Sequence, residues 1–145
     1  MINPGDLSYG IVNACNEGNL EAVRLILEKG GDPDKGMWSA CDGGHLEIVR
    51  LLVEKGGNPN YGIVNACKRG HLEIVKELLE RGAKPIYDIY IMYACSNGRM
   101  EMVKFFLEKG ANPNTGIADA RENGHTEIVN LLIERGANFK INSFD

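Results

Sequence analysis

The sequence predicts an all-α fold, a helical-repeat solenoid of five helix-turn-helix units. Three observations carry this. First, Gly44-His45-Leu46-Glu47-Ile48-Val49 returns as Gly70-His71-Leu72-Glu73-Ile74-Val75 and as Gly124-His125-Thr126-Glu127-Ile128-Val129. With looser copies at Gly18 and Gly98, the starts at 18, 44, 70, 98 and 124 lie 26, 26, 28 and 26 residues apart. A fixed spacing in this range signals stacked supersecondary units. Second, the apolar residues inside each copy have a helical period: Leu72, Val75, Leu78 and Leu79 alternate with Glu73, Lys76 and Glu80. Third, each pair of helices is punctuated by glycines that end helices and by Pro33, Pro59, Pro85 and Pro113, which stop them continuing. One pair cannot bury its apolar face alone, whereas stacked pairs bury a continuous core.

The third unit shows the local logic. Asn60 is a good N-cap for a short helix over 61–69, and Gly70 can take the left-handed conformation that closes it. His71 opens a second helix, Glu80 and Arg81 close it, and Gly82 caps it. Asp34 and Asn114 stand as the equivalent N-caps, and Gly30, Gly56, Gly110 and Gly136 as C-caps. First helices are therefore predicted near 9–17, 35–43, 61–69, 89–97 and 115–123. Second helices fall near 19–29, 45–55, 71–81, 99–109 and 125–135. The repeats run over about 9–34, 35–60, 61–88, 89–114 and 115–138 within a single domain, 1–145. The tail, 139–145, has no periodicity and is expected to be partly ordered at most.

Composition bounds the function. The chain has 145 residues, 43% hydrophobic and 25% charged, as in soluble globular proteins. Its net charge of −4 supplies no basic footprint, so neither nucleic acid nor a membrane is expected as a partner. No apolar run approaches the roughly 20 residues of a membrane span, and residues 1–10 lack the pattern of a signal peptide. Cys15, Cys41, Cys67 and Cys95 hold one equivalent position in successive repeats. Packed helices lie about 8–10 Å apart, beyond the roughly 7 Å limit for a disulfide. The same spacing excludes a shared metal ion, so these residues read as small buried hydrophobes in a reducing compartment.

At this point the chain resembles the ankyrin-repeat family. The resemblance rests on Gly-His-Leu-Glu-Ile-Val, the following Leu-Leu, the Gly-Ala/Gly-Asn-Pro-Asn ending, and Ile-Val-Asn-Ala-Cys at 11–15 and 63–67 in the place of the first-helix Leu-His-x-Ala-Ala. It covers about residues 9–138. Two departures stand out. The period is mostly 26 rather than the family's roughly 33, and the missing stretch is where the family places a projecting β-hairpin finger. The Thr-Pro-Leu-His turn is also absent, its places taken by residues such as Tyr61-Gly62-Ile63-Val64. Tight loops without a hairpin are therefore expected at 30–36, 56–62 and 110–116. The compact repeats are similar to arrays in large DNA viruses and intracellular pathogens. That resemblance implies a cytoplasmic protein, in the host cytoplasm if pathogen-derived.

No residue pattern points to catalysis. His45, His71 and His125 are translated copies that cannot converge on one ion, and each is expected to join the two helices of its own unit. There is no His-Glu-x-x-His, no Gly-x-Ser-x-Gly and no phosphate loop. Gly43-Gly44 ends a helix. Glu21, Glu47, Glu73 and Glu101 each precede a base by three residues, a spacing that stabilises a helix by about 0.2–0.5 kcal/mol per pair. The expected lists of catalytic residues, cofactors and metals are empty.

Within the resemblance, the first helices line a concave groove that contacts protein partners. Residues at i, i+3 and i+7 share a side of a helix, which gathers Gly10 with Asn13 and Glu17, Gly36 with Ser39 and Gly43, Gly62 with Asn65 and Arg69, and Gly116 with Asp119 and Asn123. The fourth repeat departs from this small, polar pattern with Tyr90, Tyr93 and Asn97, after a two-residue insertion around Pro85-Ile86-Tyr87-Asp88. The candidate partner-binding residues are thus Tyr90, Tyr93, Asn97, Asn65, Arg69, Ser39, Asn13 and Asp119, with the two tyrosines as anchors. Trp38 stands where Val12, Val64 and Met92 stand and is expected in the core. The leading function is non-catalytic protein–protein recognition, host-factor adaptors included, by a monomer. Two other classes remain open: an enzyme or small-ligand protein with a site at the irregular fourth repeat, and a self-assembling repeat protein using Leu131, Leu132, Ile133, Phe139 and Phe144.

Overall fold

Asn3 and Pro4 start the first helix earlier than expected. In the computed structural model, which describes residues 3–138, the Asn3 side chain accepts a hydrogen bond from the Gly5 N–H at 2.8 Å, and Pro4 occupies the first helical turn. Asn-Pro is a strong helix-entry signal, because proline's fixed φ suits a position whose N–H has no partner. Helix α1 therefore spans Pro4–Glu17. It is followed by α2 (Leu20–Glu28), α3 (Asp34–Asp42), α4 (Leu46–Glu54), a 3-10 turn (Pro59–Tyr61), α5 (Ile63–Arg69) and α6 (Leu72–Glu80). The remaining helices are α7 (Tyr87–Ser96), α8 (Met100–Glu108), α9 (Ile117–Glu122) and α10 (Thr126–Glu134). Ten α-helices and no strand occur among the described residues, and the fold class is the five-pair helical solenoid. Gly44 (φ 76°) and Gly56 (φ 100°) show the two closures used in each repeat: both adopt left-handed backbone that a side chain disfavours.

The chain divides into two compact units, Met1–Ala66 with His71–Lys84, and Cys67–Gly70 with Pro85–Asp145. In the first, the cysteine ladder sets how closely successive first helices approach. Gly36 lies against Cys15, and a Cβ on it would stand 2.7 Å from the Cys15 Sγ. Gly62 lies against Cys41 in the same way. The recurring glycine is thus a seat for the preceding repeat's cysteine. Gly36 and Gly62 are buried, not on the polar face where the helical frame put them. The four thiols are free and buried. Burial pushes Cys15 up to about 11 and Cys41 to about 12, so both stay protonated and act as apolar filling.

Polar side chains tie the repeats of this unit together. The Asn58 N–H donates to Asp34 Oδ1 at 2.7 Å, and the Lys84 N–H to Asn60 Oδ1 at 2.8 Å. The N-cap role expected of Asp34 and Asn60 is instead filled two residues earlier: Asp32 and Asn58 accept from the Asp34 and Asn60 N–H groups, each at 2.9 Å. These bonds join repeats at the loops, where the missing hairpins would stand. The loops 30–36 and 56–62 contain no strand, as expected. His71 also differs from expectation. Its Nε2 lies 3.1 Å from the Asp42 carbonyl, so it bridges to the preceding repeat rather than within its own. On the second helices, Glu77 receives Arg50 Nε and Arg81 Nε, each at 2.9 Å, and Arg50 also reaches Glu47 at 2.7 Å.

The second unit repeats these devices with one exception. Gly116 seats Cys95, Asp88 Oδ1 accepts from the Asn112 N–H at 2.7 Å, and Asn114 Oδ1 accepts from the Asn138 N–H at 2.8 Å. Asn114 is thus another inter-repeat acceptor, while Asn112 takes the helix-entry bond from the Asn114 N–H. His125 Nε2 sits 3.1 Å from the Ser96 carbonyl, and Arg99, standing in the histidine position, donates to the Lys68 carbonyl at 2.8 Å. The exception is Tyr90, which replaces the seat glycine. Its ring packs at 5.7 Å from Phe106, with Tyr87 at 6.2 Å from the same ring. Residues 139–145, with Phe139 and Phe144, lie outside the described residues.

Candidate partner-binding surfaces

In the first unit, the exposed face of the first helices is aromatic. Tyr9 is 73% exposed, Trp38 55% and Tyr61 56%. The cause lies one position from the seat glycine. Gly36 and Gly62 turn into the Cys15 and Cys41 contacts, so their helical neighbours Lys35 and Tyr61 are turned outward, and Trp38 follows Lys35 one turn later. Trp38 therefore does not join the core, contrary to expectation. The reason is that Met37, the next residue round the helix, fills the buried site that Ile11 and Ile63 fill in other repeats.

The candidate residues of this unit fare unevenly. Asn13 is exposed. Asn65 is half-buried, and its Nδ2 donates to Asp42 Oδ1 at 2.9 Å, which links successive first helices. Ser39 is buried and is removed from the contact face. The exposed tryptophan and tyrosines were missed because a glycine was read as a small surface residue. The signal available was Tyr-Gly-Ile-Val-Asn-Ala-Cys at 9–15 and 61–67: once the glycine faces the cysteine, the tyrosine must face out.

In the second unit, the paired-tyrosine anchor separates. Tyr90 is 1% exposed and packs on Phe106, so it is a core residue and not a contact. Desolvation pushes its hydroxyl up to about 12. Tyr93 is half-buried, with Lys68 Nζ 4.9 Å from its ring centroid, a cation–π geometry. Asn97 is exposed and donates to the Tyr93 carbonyl at 2.8 Å. Arg69 is exposed and Asp119 half-buried. Ile86 and Ile89 add exposed apolar surface at the inserted stretch. There an open depression is lined by Pro85, Ile86, Tyr87, Asp88, Ile89 and Gly110. Its one carboxylate, on Asp88, is already engaged by the Asn112 N–H.

Three overlapping matches to the family model described as ankyrin repeats cover residues 11–89, 39–117 and 63–143. The chain belongs to the ankyrin-repeat family. Among solved structures, the crystal structure of the human ASB11 ankyrin repeat domain is similar, with a TM-score of 0.81 and 26% identity over 90% of this chain and 70% of that one. No curated protein matches the sequence. Ankyrin-repeat domains generally serve protein–protein interaction and are typically non-enzymatic. This ankyrin-repeat chain keeps the helix pairs and replaces the hairpin fingers of the family with the side-chain bonds at Asp34, Asn60, Asp88 and Asn114.

Proposed function

We propose that this chain is a non-catalytic recognition module that binds a protein partner through the exposed faces of its first helices. One observation carries the reading. Trp38 and Tyr61 stand exposed on helices whose own polar groups are satisfied by neighbouring repeats. Exposed aromatics on a preorganised surface supply contact area with little ordering cost on binding. In the second unit, Arg69 and Asn97 are exposed and Tyr93 is half-buried, so that unit offers polar groups of its own. Four buried thiols suit a reducing compartment, which supports a cytoplasmic site of action. Among the described residues, Nε2 of His71 and of His125 each lie 3.1 Å from a main-chain carbonyl, which supports a packing role for these histidines.

Photo-crosslinking inside cells tests this. A photoreactive amino acid in place of Tyr61 or Tyr93 is expected to capture a defined protein, and one at Glu54 or Glu80 on the second helices is not. Equal capture from both sets of positions, or none from the first helices, would place recognition elsewhere.

A further inference from the structure

The chain contains two Asn-Gly steps, Asn97-Gly98 and Asn123-Gly124, and both lie in the second unit. Each closes a first helix: Asn97 follows α7 and Asn123 follows α9, in the place of Glu17, Gly43 and Arg69 in the other repeats. Asn-Gly is the asparagine step most prone to deamidation, because glycine has no side chain to hinder attack by its own nitrogen on the asparagine amide. The two closures share one geometry. Their Nδ2 groups donate to the Tyr93 and Asp119 carbonyls, each at 2.8 Å. The glycine N–H groups that follow donate to the Cys95 and Arg121 carbonyls, at 3.3 and 3.0 Å. Ring closure needs the glycine nitrogen eclipsed with the asparagine Cβ about the Cα–C bond. With ψ at 8° for Asn97 and 7° for Asn123, it is eclipsed with the asparagine's own nitrogen instead. Neither step can react until its closure opens.

What differs is the cover. A Cβ on Gly98 would stand 2.8 Å from His125 Cε1, and His125 Nε2 lies 3.1 Å from the Ser96 carbonyl. The Asn97-Gly98 closure therefore opens only when the histidine of the fifth repeat is lifted away. Gly98 is half-buried, whereas Gly124 is exposed, and among the described residues nothing lies within 4 Å of a Cβ placed on Gly124. The helix that Asn123 closes is also shorter, six residues in α9 against ten in α7. Among the described residues the fifth repeat has a neighbour on one side only, and such a repeat opens at lower free energy than one flanked on both.

We propose that Asn123 is a self-modification site, converted to aspartate and isoaspartate when the fifth repeat opens, while the packing of His125 holds Asn97 back. This goes beyond the recognition reading and does not depend on it. The Gly124 nitrogen, its proton taken by hydroxide, attacks Asn123 Cγ. A C–N bond forms there as the Cγ–Nδ2 bond breaks, and Nδ2 takes up a proton and leaves as ammonia. Water then opens the cyclic imide. Cleavage between the Gly124 nitrogen and Cγ gives aspartate, and cleavage between that nitrogen and the main-chain carbonyl carbon gives isoaspartate. Nothing is oxidised or reduced, and water is the one co-reactant. The product closes the helix less well than asparagine. Its carboxylate cannot donate to the Asp119 carbonyl, and it adds negative charge beside Glu122 at the C-terminal end of α9, where the helix dipole disfavours it. Modification thereby loosens the repeat that permitted it.

Both steps can be followed in one sample. The wild-type protein is incubated in mildly alkaline buffer, digested, and mapped by mass spectrometry with chromatographic separation of isoaspartate. Asn123 is expected to react at least about tenfold faster than Asn97 in the folded chain. In urea the two should react at similar rates, since the dipeptide is the same. His125→Ala, checked for folding by circular dichroism, should raise the Asn97 rate toward that of Asn123. Amide exchange makes the same comparison on the wild type, with the Gly124 N–H expected to exchange faster than that of Gly98. Asn123→Asp should speed exchange across α9 and α10, and unchanged exchange there would refute the loosening by the product. Equal native rates, faster loss of Asn97, loss of neither, or slower exchange at Gly124 than at Gly98 would overturn the inference. So would a rate ratio that persists in urea, because sequence and not cover would then set it. An unchanged Asn97 rate in folded His125→Ala would overturn the role given to His125.

Discussion

The seat that Gly36 makes for Cys15 can be tested by exchanging a methyl group for a sulfur atom across it. An alanine at 36 would place its Cβ 2.7 Å from Cys15 Sγ, 3.3 Å from Ile11 Cγ1 and 3.4 Å from Leu52 Cδ1. The sulfur contact is the severe one, while the Ile11 contact asks for a shift of only a few tenths of an ångström. Gly36 lies within α3, so Gly36→Ala gains about 1 kcal/mol of helix propensity. Forcing an extra methyl into a filled core costs about 1–3 kcal/mol, so the single variant is expected to be destabilised by about 0–2 kcal/mol. Cys15→Ala alone removes a fully buried sulfur and leaves a small void, at a cost of about 1–2 kcal/mol. In the double variant the new methyl occupies the space the sulfur left, and the propensity gain remains. Its stability should return to within about 1 kcal/mol of the wild type, a favourable coupling of about 1–3 kcal/mol. Urea denaturation of the four proteins, with equal m-values required, measures this cycle. Additivity to within about 0.5 kcal/mol would show that glycine and cysteine do not share one space, and the ladder would lose its physical basis.

Three further outcomes follow from contacts elsewhere. Asp34→Ala should cost about 1–2 kcal/mol by orphaning the half-buried Asn58 N–H, while Asp34→Asn, which keeps an acceptor, should restore most of it; equal losses would mean the bond is idle. Hydrogen bonding from Arg50, more than its charge or that of Arg81, holds the Glu77 carboxyl below the usual carboxylate range. Its stabilisation is therefore complete above the unfolded value near pH 4.3 and is lost as pH falls through the lower folded value. Glu77→Gln should be less stable than wild type at neutral pH, and the gap should close in acid; a constant gap in denaturation midpoints across that range would contradict this. The cysteines should resist native-state labelling, since burial lifts Cys15 to about 11 and Cys41 and Cys95 to about 12, and all four should react after unfolding; rapid native labelling of all four would refute the burial.

The repeat period, the helix pairs, the loss of the fingers and the burial of the cysteines were all legible in the sequence. Each is set by local chemistry that one repeat states and the others copy: apolar residues at helical spacing, glycine closures, prolines that stop a helix. The start of α1 at Pro4 was legible too, in Asn3-Pro4, though outside the repeated pattern. What one repeat cannot state is what the next repeat puts against it. Gly36 and Gly62 looked like small groove residues until Cys15 and Cys41 were found seated on them, and that contact is what turns Trp38 and Tyr61 outward. Tyr90 looked like a surface anchor until Phe106, sixteen residues away on another helix, was found against its ring. His71 and Asp34 reach partners 29 and 24 residues away in chain. Helical periodicity fixes which residues share a side of a helix, but only the packing of neighbouring helices decides which side is covered. The candidate contact surface is the complement of that packing, and so it was decided by the tertiary structure.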